Sequence, residues 1–482
     1  MVNRNPVLNE IKDWKLEAKE EESSRYFYSV SDLQTLVDSS KCFVLGRKGT
    51  GKTAIVEHLR HSTDEKTFAR ILSFQHFPFN DLYALRDGGY RGTSQYITLW
   101  KYVILSAVCS MMAGENKNVQ PHVSTELSQV FNLDMENSLA HSISQLISKS
   151  GGFSILGNGG DVHTESIVVP NGQPWERRVS SLIDIIKNHG GECSYYILFD
   201  ALDEDFVGVL DANTDENYFS LIISLFKAIH SLRSDFKVAK SRVLPIAFLR
   251  TDIFDLLKDN DKNKWSDLSM TLDWTESSLR NLMAHRISRA HTPPSSGIIR
   301  FSAEFDAIFQ SKEIRYGNFG KQKRSVFKHL LRGTLMRPRD MIAYMRACAS
   351  VSIQRSENKI SNASIKKATE IYSEYLRGEF NDELYSVIPY FGEILDIFSS
   401  MRKQVIRPHE FKAKYDLLVV SDGIVKLEFF DLCKALFHYG VIGNLPTQTN
   451  REIFKYNGIR VNFNINEKII IHRGLLASLQ IF

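Results

Sequence analysis

Residues Gly46 to Thr53 read Gly-Arg-Lys-Gly-Thr-Gly-Lys-Thr, the spacing G-x-x-x-x-G-K-[ST], after the apolar run Cys42-Phe43-Val44-Leu45 and before Ala54-Ile55-Val56-Glu57-His58-Leu59. Glycines at this spacing let successive backbone N–H groups turn onto phosphate oxygens, and the positive end of the helix that follows adds to the attraction. Gly46, Lys48, Gly49, Thr50 and Gly51 form the expected cradle. Lys52 is expected to reach the β- and γ-phosphates, and Thr53 to hold Mg²⁺ through its hydroxyl. Such a site also needs a carboxylate for the metal and an oriented water. The β-rich run Tyr195-Tyr196-Ile197-Leu198-Phe199 ends in Asp200-Ala201-Leu202-Asp203-Glu204-Asp205, where four carboxylates would repel one another unless a cation joined them. Asp200, at the strand tip, is the expected metal ligand. Glu204 is the better candidate to polarise water, with Asp203 its rival.

These groups have to be positioned by a sheet. Cys42–Leu45, Ala69–Phe77, Tyr195–Phe199 and Val243–Leu249 are apolar runs that suit strands covered on both faces, and helical patterns run from Ile97 to Ala113, Trp175 to His189 and Tyr218 to Leu232. Pro245 is expected near the start of its strand, because in mid-sheet it removes a ladder bond. In a parallel sheet ligands gather at the carboxyl ends of the strands, so the tips at Gly46, Asp200 and Arg250 should converge, with Arg250 as a sensor of the γ-phosphate. Residues 114–173 are polar and irregular, with a glycine-rich stretch from Gly151 to Gly160, and read as an insertion. The fold class expected is an α/β P-loop NTPase sheet with a helical lid and a winged-helix-like C-terminal domain.

The whole chain sets the outer limits. Its 482 residues, 43% hydrophobic, suit two or three domains, and a net charge of +4 is too small to demand nucleic acid. Five cysteines lack metal-site spacing, and the polar N-terminus lacks an apolar leader, so a reducing, cytoplasmic setting is expected. The apolar stretch Ile97–Ala113 carries Lys101 and is expected to be too short for a membrane span. Guanine selection usually uses N-K-x-D, and Asn263-Lys264-Trp265-Ser266-Asp267 has one residue too many, so ATP is the expected nucleotide.

The phosphate loop, Phe199-Asp200-Ala201-Leu202-Asp203-Glu204 and Phe248-Leu249-Arg250-Thr251-Asp252 together resemble the STAND and AAA+-related P-loop ATPases, whose acidic motif usually carries glycine where this chain has Ala201. The chain is similar to bacterial P-loop ATPases of mobile or antiviral gene neighbourhoods. That resemblance implies ATP-dependent switching through self-association, in service of a partner. It also implies a lid helix opening on an arginine that faces the nucleotide, and Arg337 or Arg339, flanking Pro338, matches that place.

The expected boundaries are an N-terminal helical segment 1–26, the ATPase domain 27–270, the lid 271–380 and the C-terminal domain 381–482. Asp273 with Glu276 is expected to cap the first lid helix. In the C-terminal domain Leu384–Phe398, His409–Leu418 and Leu427–Tyr439 read as helices, and Arg451–Tyr456 and Ile459–Phe463 as a hairpin about Asn457-Gly458, followed by a strand at Lys468–His472. Two basic groups carry the nucleic-acid possibility: Arg402, Lys403, Arg407, Lys412 and Lys414, and a run from Lys312 through Arg315, Lys321, Lys323, Arg324 and Lys328 to Arg332. Two functions are therefore expected to compete: an ATP-hydrolysing switch that assembles with itself or an effector, in antiphage defence, and an ATP-regulated DNA-binding protein or loader resembling origin-recognition ATPases.

Overall fold

Tyr195, Ile197 and Phe199 bury into one apolar cluster while Tyr196 and Leu198 bury into another, as a strand covered on both faces must. The same alternation separates Phe43 and Leu45 from Val44, and Ala247 and Leu249 from Ile246 and Phe248. The computed structural model describes residues 5–30, 32–73, 94–131, 153–155, 167–169, 175–203, 212–295, 298–316, 322–385, 387–422, 427–458 and 461–481. They divide into two units, one of residues 22–207 and 211–273 and another of 1–21, 208–210 and 274–482.

In the first unit five strands, β1 (Phe43–Leu45), β2 (Thr67–Ser73), β3 (Ser194–Asp200), β4 (Arg242–Leu249) and β5 (Ser269–Thr271), lie in the order β2-β3-β4-β1-β5, all parallel. The phosphate-loop strand and the acidic strand are thus separated by β4 alone. Helix α1 (Lys52–His61) covers one face through Ile55, Val56 and Leu59. The other face is covered by α2 (Ser94–Gly114), α4 (Trp175–His189) and α5 (Ala212–Asp235), with α3 (Pro121–Phe131) packed on α2. This is the α/β P-loop NTPase sheet that the apolar runs predict, joined to a largely helical second unit.

Two expectations about this unit change. Pro245 sits in the middle of β4, opposite Ile197, not at its start. Ala247 donates to Cys42 O and Leu249 O accepts from Gly46, so odd-numbered residues of β4 face β1; at Pro245 β1 has not yet begun, and the missing N–H forfeits no ladder bond. Helix α2 spans 21 residues, longer than its apolar stretch indicated, and is long and apolar enough to cross a membrane. Its 18-residue apolar window is 72% buried within the structure, with Trp100 donating to Leu221 O at 3.2 Å. The region 114–173 is not uniformly irregular either: α3 buries Val123, Leu127 and Phe131, and Phe153–Ile155 pairs with Ile167–Val169. Most of the glycine-rich stretch lies outside the described residues.

The second unit starts with helix Pro6–Asp13, which packs against α7 (Glu276–Ala290) and α9 (Pro338–Gln354). Thr275, not Asp273, caps α7, in a reciprocal box with Ser278. Pro338 occupies the first turn of α9, where its absent N–H costs nothing. Between α7 and α9 lie the antiparallel strands β6 (Glu313–Tyr316) and β7 (Gln322–Ser325) and the short α8 (Val326–Leu331). Helix α10 (Asn362–Leu384) stacks Tyr372 on Tyr344 of α9, ring centroids 4.2 Å apart. Leu384 thus ends α10, and the next helix, α11 (Phe391–Met401), starts later than expected. Strand β8 (Val405–Ile406), α12 (Pro408–Asp422), α13 (Phe429–Tyr439), β9 (Ile442–Leu445) and β10 (Lys468–Ile471) follow, with the strands antiparallel in the order β8-β10-β9.

The expected order of three helices and then strands is present; of the expected hairpin about Asn457-Gly458, residues 459 and 460 lie outside the described residues, and among the described ones 451–456 and 461–463 do not pair with each other. Asn457 accepts from Phe454 N at 2.7 Å and closes a 3-10 turn, and Gly458 has φ 169°, extended rather than left-handed, so the tight-turn geometry is not adopted. Pairing instead joins β9 to β10 across a loop pinned by Asn444, whose side chain donates to Asn464 O and accepts from Asn464 N.

Candidate functional site

At the end of β1 the chain turns on glycine. Gly51 caps α1 with φ +101° and Gly49 has φ +77°, both in the left-handed region that penalises a Cβ. At Gly46 a Cβ would stand 2.5 Å from Thr50 Oγ1, so this position needs glycine for space. Thr50 is buried and its hydroxyl and N–H both donate to Arg47 O, tightening the loop. No side chain caps α1. Its first-turn N–H groups, without partners within the helix, are left to an anion. Lys48 lies in the loop, partly exposed.

Lys52 folds back over this loop and donates to Gly46 O at 3.1 Å and Arg47 O at 3.4 Å. Burial pushes its ammonium below the ordinary lysine range, opposed first by the negative charge of Asp203 and assisted by the positive charge of Arg250. A half-buried cation held by two carbonyls is poised to exchange them for phosphate oxygens, which compensate its charge better. Thr53 Oγ1 donates to Asp200 Oδ1 at 3.5 Å, across from α1 to the tip of β3. Asp200 itself is buried.

The third tip brings Arg250. Its Nε and Nη2 donate to Asp252 Oδ1 at 3.0 Å and Oδ2 at 2.5 Å, and Nε lies 3.8 Å from Asp203 Oδ2. Lys52, Thr53, Asp200, Asp203 and Arg250 therefore share the carboxyl edge of one sheet. Asp252 is the residue that sequence reasoning quoted without a role; an R-x-D spacing at a strand tip is its signal. Glu204 lies outside the described residues. Ala201 has φ +58°, which costs a residue with a Cβ about 1–2 kcal/mol and explains why the resembling motif carries glycine there.

The residues present fit Mg²⁺ with a nucleoside triphosphate. Among the described residues no three His, Cys, Asp or Glu side chains gather to cage a metal, yet one hydroxyl and one carboxylate meet beside the phosphate loop. Mg²⁺ takes such sparse protein ligation, completed by phosphates and water. Thr53 and Asp200 would hold the ion, and the loop amides with Lys52 the phosphates.

Arg337 and Arg339 belong to the second unit. Arg337 is buried, donates to Asp340 Oδ1 at 2.7 Å and Glu383 Oε1 at 2.9 Å, and lies 3.6 Å from Glu379. Burial would lower its pKa, but the charges of Asp340 and Glu383 hold it well above the ordinary value. Arg339 bonds Glu17 at 3.0 Å and lies 3.6 Å from Glu379. Of the basic residues near α11 and α12, Lys403 pairs with Glu410 and Lys412 with Asp416. In the other basic run Lys323 pairs with Glu313, Lys328 approaches Glu276, and Phe327 is buried; Lys321 lies outside the described residues.

Residues 277–381 match the family described as the FunZ-associated C-terminal helical domain. Over 93% of its length the chain is 23% identical to a transposon gamma-delta 80.3 kDa protein of Escherichia coli (strain K12), of which it spans 64%. Among solved structures it is similar to Cdc6p from Pyrobaculum aerophilum, at 11% identity and TM-score 0.34 over 95% of this chain and 94% of that one. It is also similar to the Aeropyrum pernix ORC2 protein, at 11% identity and TM-score 0.36 over 95% and 91%. A third is Drosophila ORC bound to DNA, at 10% identity and TM-score 0.31 over 98% and 89%.

Proposed function

We propose that this chain binds Mg-ATP at the edge of its parallel sheet and hydrolyses it as a molecular switch. The observation that carries this is the meeting of Thr53 with Asp200 beside Lys52 and the Arg250–Asp203 pair. Arg250 supplies a cation for charge developing on the γ-phosphate, and Glu204 or Asp203 a carboxylate to orient water. Hydrolysis changes what the loop and Arg250 hold, and the output is assembly with itself or with an effector. A role in bacterial antiphage defence belongs to this reading. It is supported by the motif resemblance and by the transposon named in the relative from Escherichia coli. So does a reducing cytoplasmic setting, supported by five buried cysteines that are all free thiols.

The test is calorimetry of ATP binding with an assay of phosphate release. Wild type should bind and turn over ATP only with Mg²⁺, and Lys52→Ala should lose turnover and bind at least about tenfold more weakly, one charge-assisted contact being worth roughly 1.5–3 kcal/mol. Unchanged affinity and turnover in Lys52→Ala would remove the basis of the proposal.

A second reading, ATP-regulated DNA binding, is supported by the order of the C-terminal elements. A helix, a short strand, two more helices and an antiparallel pair succeed one another in α11, β8, α12, α13, β9 and β10, the order of a winged helix. DNA affinity that falls steeply with salt and shifts with ATP would favour it over the first reading.

A further inference from the structure

Outside the nucleotide site, two arginines of the second unit converge on one carboxylate. Arg332, at the end of α8, donates through Nη2 to Glu452 Oε1 at 2.5 Å. Arg473, just after β10, donates to the same oxygen through Nη2 at 2.5 Å and Nε at 3.1 Å. Both guanidiniums remain about one-third exposed. Glu452 neutralises one positive charge of the two. Arg332 Nε and Nη1 and Arg473 Nη1 have no acceptor among the described residues, so the shared carboxylate holds two guanidiniums side by side with spare donors.

The neighbourhood is strongly positive. Burial, and after it the charges of Arg324, Arg332 and Arg473, push His329 down to about 4, so it adds no charge at neutral pH. Burial and then Arg473 lower Arg332 itself. Burial pushes Glu452 up, but the hydrogen bonds and charges of Arg473 and Arg332 outweigh it and keep the carboxylate ionised. Two arginines on one acid, in the field of a third and open to solvent on one side, make a fork for a second anion of fixed geometry.

We propose that Arg332 and Arg473, aligned by Glu452 and flanked by Arg324, form a phosphate-binding site for the phosphodiester backbone of DNA. This rests on the DNA-binding reading and deepens it by naming the contact. The exposed Lys323 and Lys328, on β7 and α8, add donors along which a backbone would run, their charge offset in part by Glu313 and Glu276. The site reads charge and shape and carries no base specificity.

The experiment uses the full chain and a fluorescent 30-base-pair duplex of mixed sequence in anisotropy titrations from about 50 to 200 mM salt. Arg332→Gln and Arg473→Gln should each weaken binding about 3- to 10-fold and each reduce the salt slope by about one. Glu452→Gln keeps the shape of the acceptor while removing its charge, and should tighten binding about 2- to 5-fold. A structural brace predicts the reverse for Glu452→Gln, which therefore decides the matter even where an arginine variant fails to fold. Absence of salt-dependent DNA binding by wild type overturns this site together with the DNA-binding reading. Salt-dependent binding that none of the three substitutions alters, or that Glu452→Gln weakens, overturns the site alone.

Discussion

Among the described residues of the nucleotide site, Lys52, Thr53 and Arg250 are each held by a neighbour in the same site. Lys52 leans on the loop carbonyls, Thr53 on Asp200, and Arg250 on Asp252 and Asp203. A network in which every polar group has a partner before ligand arrives is preorganised, and it predicts separable roles. Asp200→Ala should abolish the Mg²⁺ dependence of ATP binding, because Thr53 alone offers no charge. Glu204→Gln should leave Mg-ATP bound and lower turnover about 100-fold or more, the scale of a lost general base. Isothermal titration with and without Mg²⁺, paired with single-turnover phosphate release, separates the two. Normal turnover in Glu204→Gln with loss in Asp203→Asn would move the water-orienting role to Asp203, the carboxylate nearer Arg250.

One histidine within α8 and one just after β10 are kept neutral by the fold. His472 follows β10 and is fully buried; its Nδ1 accepts from Gly474 N–H at 3.1 Å, a bond the doubly protonated ring cannot make. Burial pushes His472 down to about 4, as it does His329. The unfolded chain takes its proton near pH 6.5, so the stabilising contribution is complete above that value and is lost as pH falls toward 4. By pH 5 each histidine should cost the second unit on the order of 2 kcal/mol. Urea unfolding followed at pH 7.5 and pH 5 checks this, and His472→Gln should remove about half of the difference. A second unit equally stable at both pH values would mean that neither ring is buried as described.

For the whole molecule, the proposed switch requires that nucleotide state change assembly. Arg250 sits at the nucleotide edge of the first unit, and Arg339 in the second is engaged by Glu17 and Glu379. Light scattering with ATP, ADP and no nucleotide should show a mass that changes with the γ-phosphate. Under that proposal Arg250→Ala and Arg339→Ala should each lower turnover at least about tenfold while changing ATP affinity by less, Arg250 as the γ-phosphate cation and Arg339 as the lid arginine that the resemblance implies. A monomer at every protein concentration, fully active in both variants, would reduce these arginines to surface and packing residues and end the switch proposal.

What the sequence determined by itself is what local chemistry encodes. Gly46–Thr53 needed only its spacing, because a glycine loop between a strand and a helix makes its cradle from consecutive residues. Trp175–His189 needed only its period, and the unbroken apolar run Tyr195–Phe199 already pointed to a strand buried on both faces. Tertiary structure decided whatever depends on partners distant in the chain. Pro245 is harmless because β1 starts two residues further along the ladder, which the sequence of β4 does not state. Asn457-Gly458 takes a 3-10 turn and an extended glycine rather than a tight hairpin turn, while β9 pairs with β10, and register is chosen by the face it buries rather than by the strongest turn signal. Asp252 acquires a role through the rotamer of Arg250. Arg332 and Arg473 become a pair only because Glu452 is folded between them, since side-chain charge has no local periodicity and only the packed chain says which charges meet.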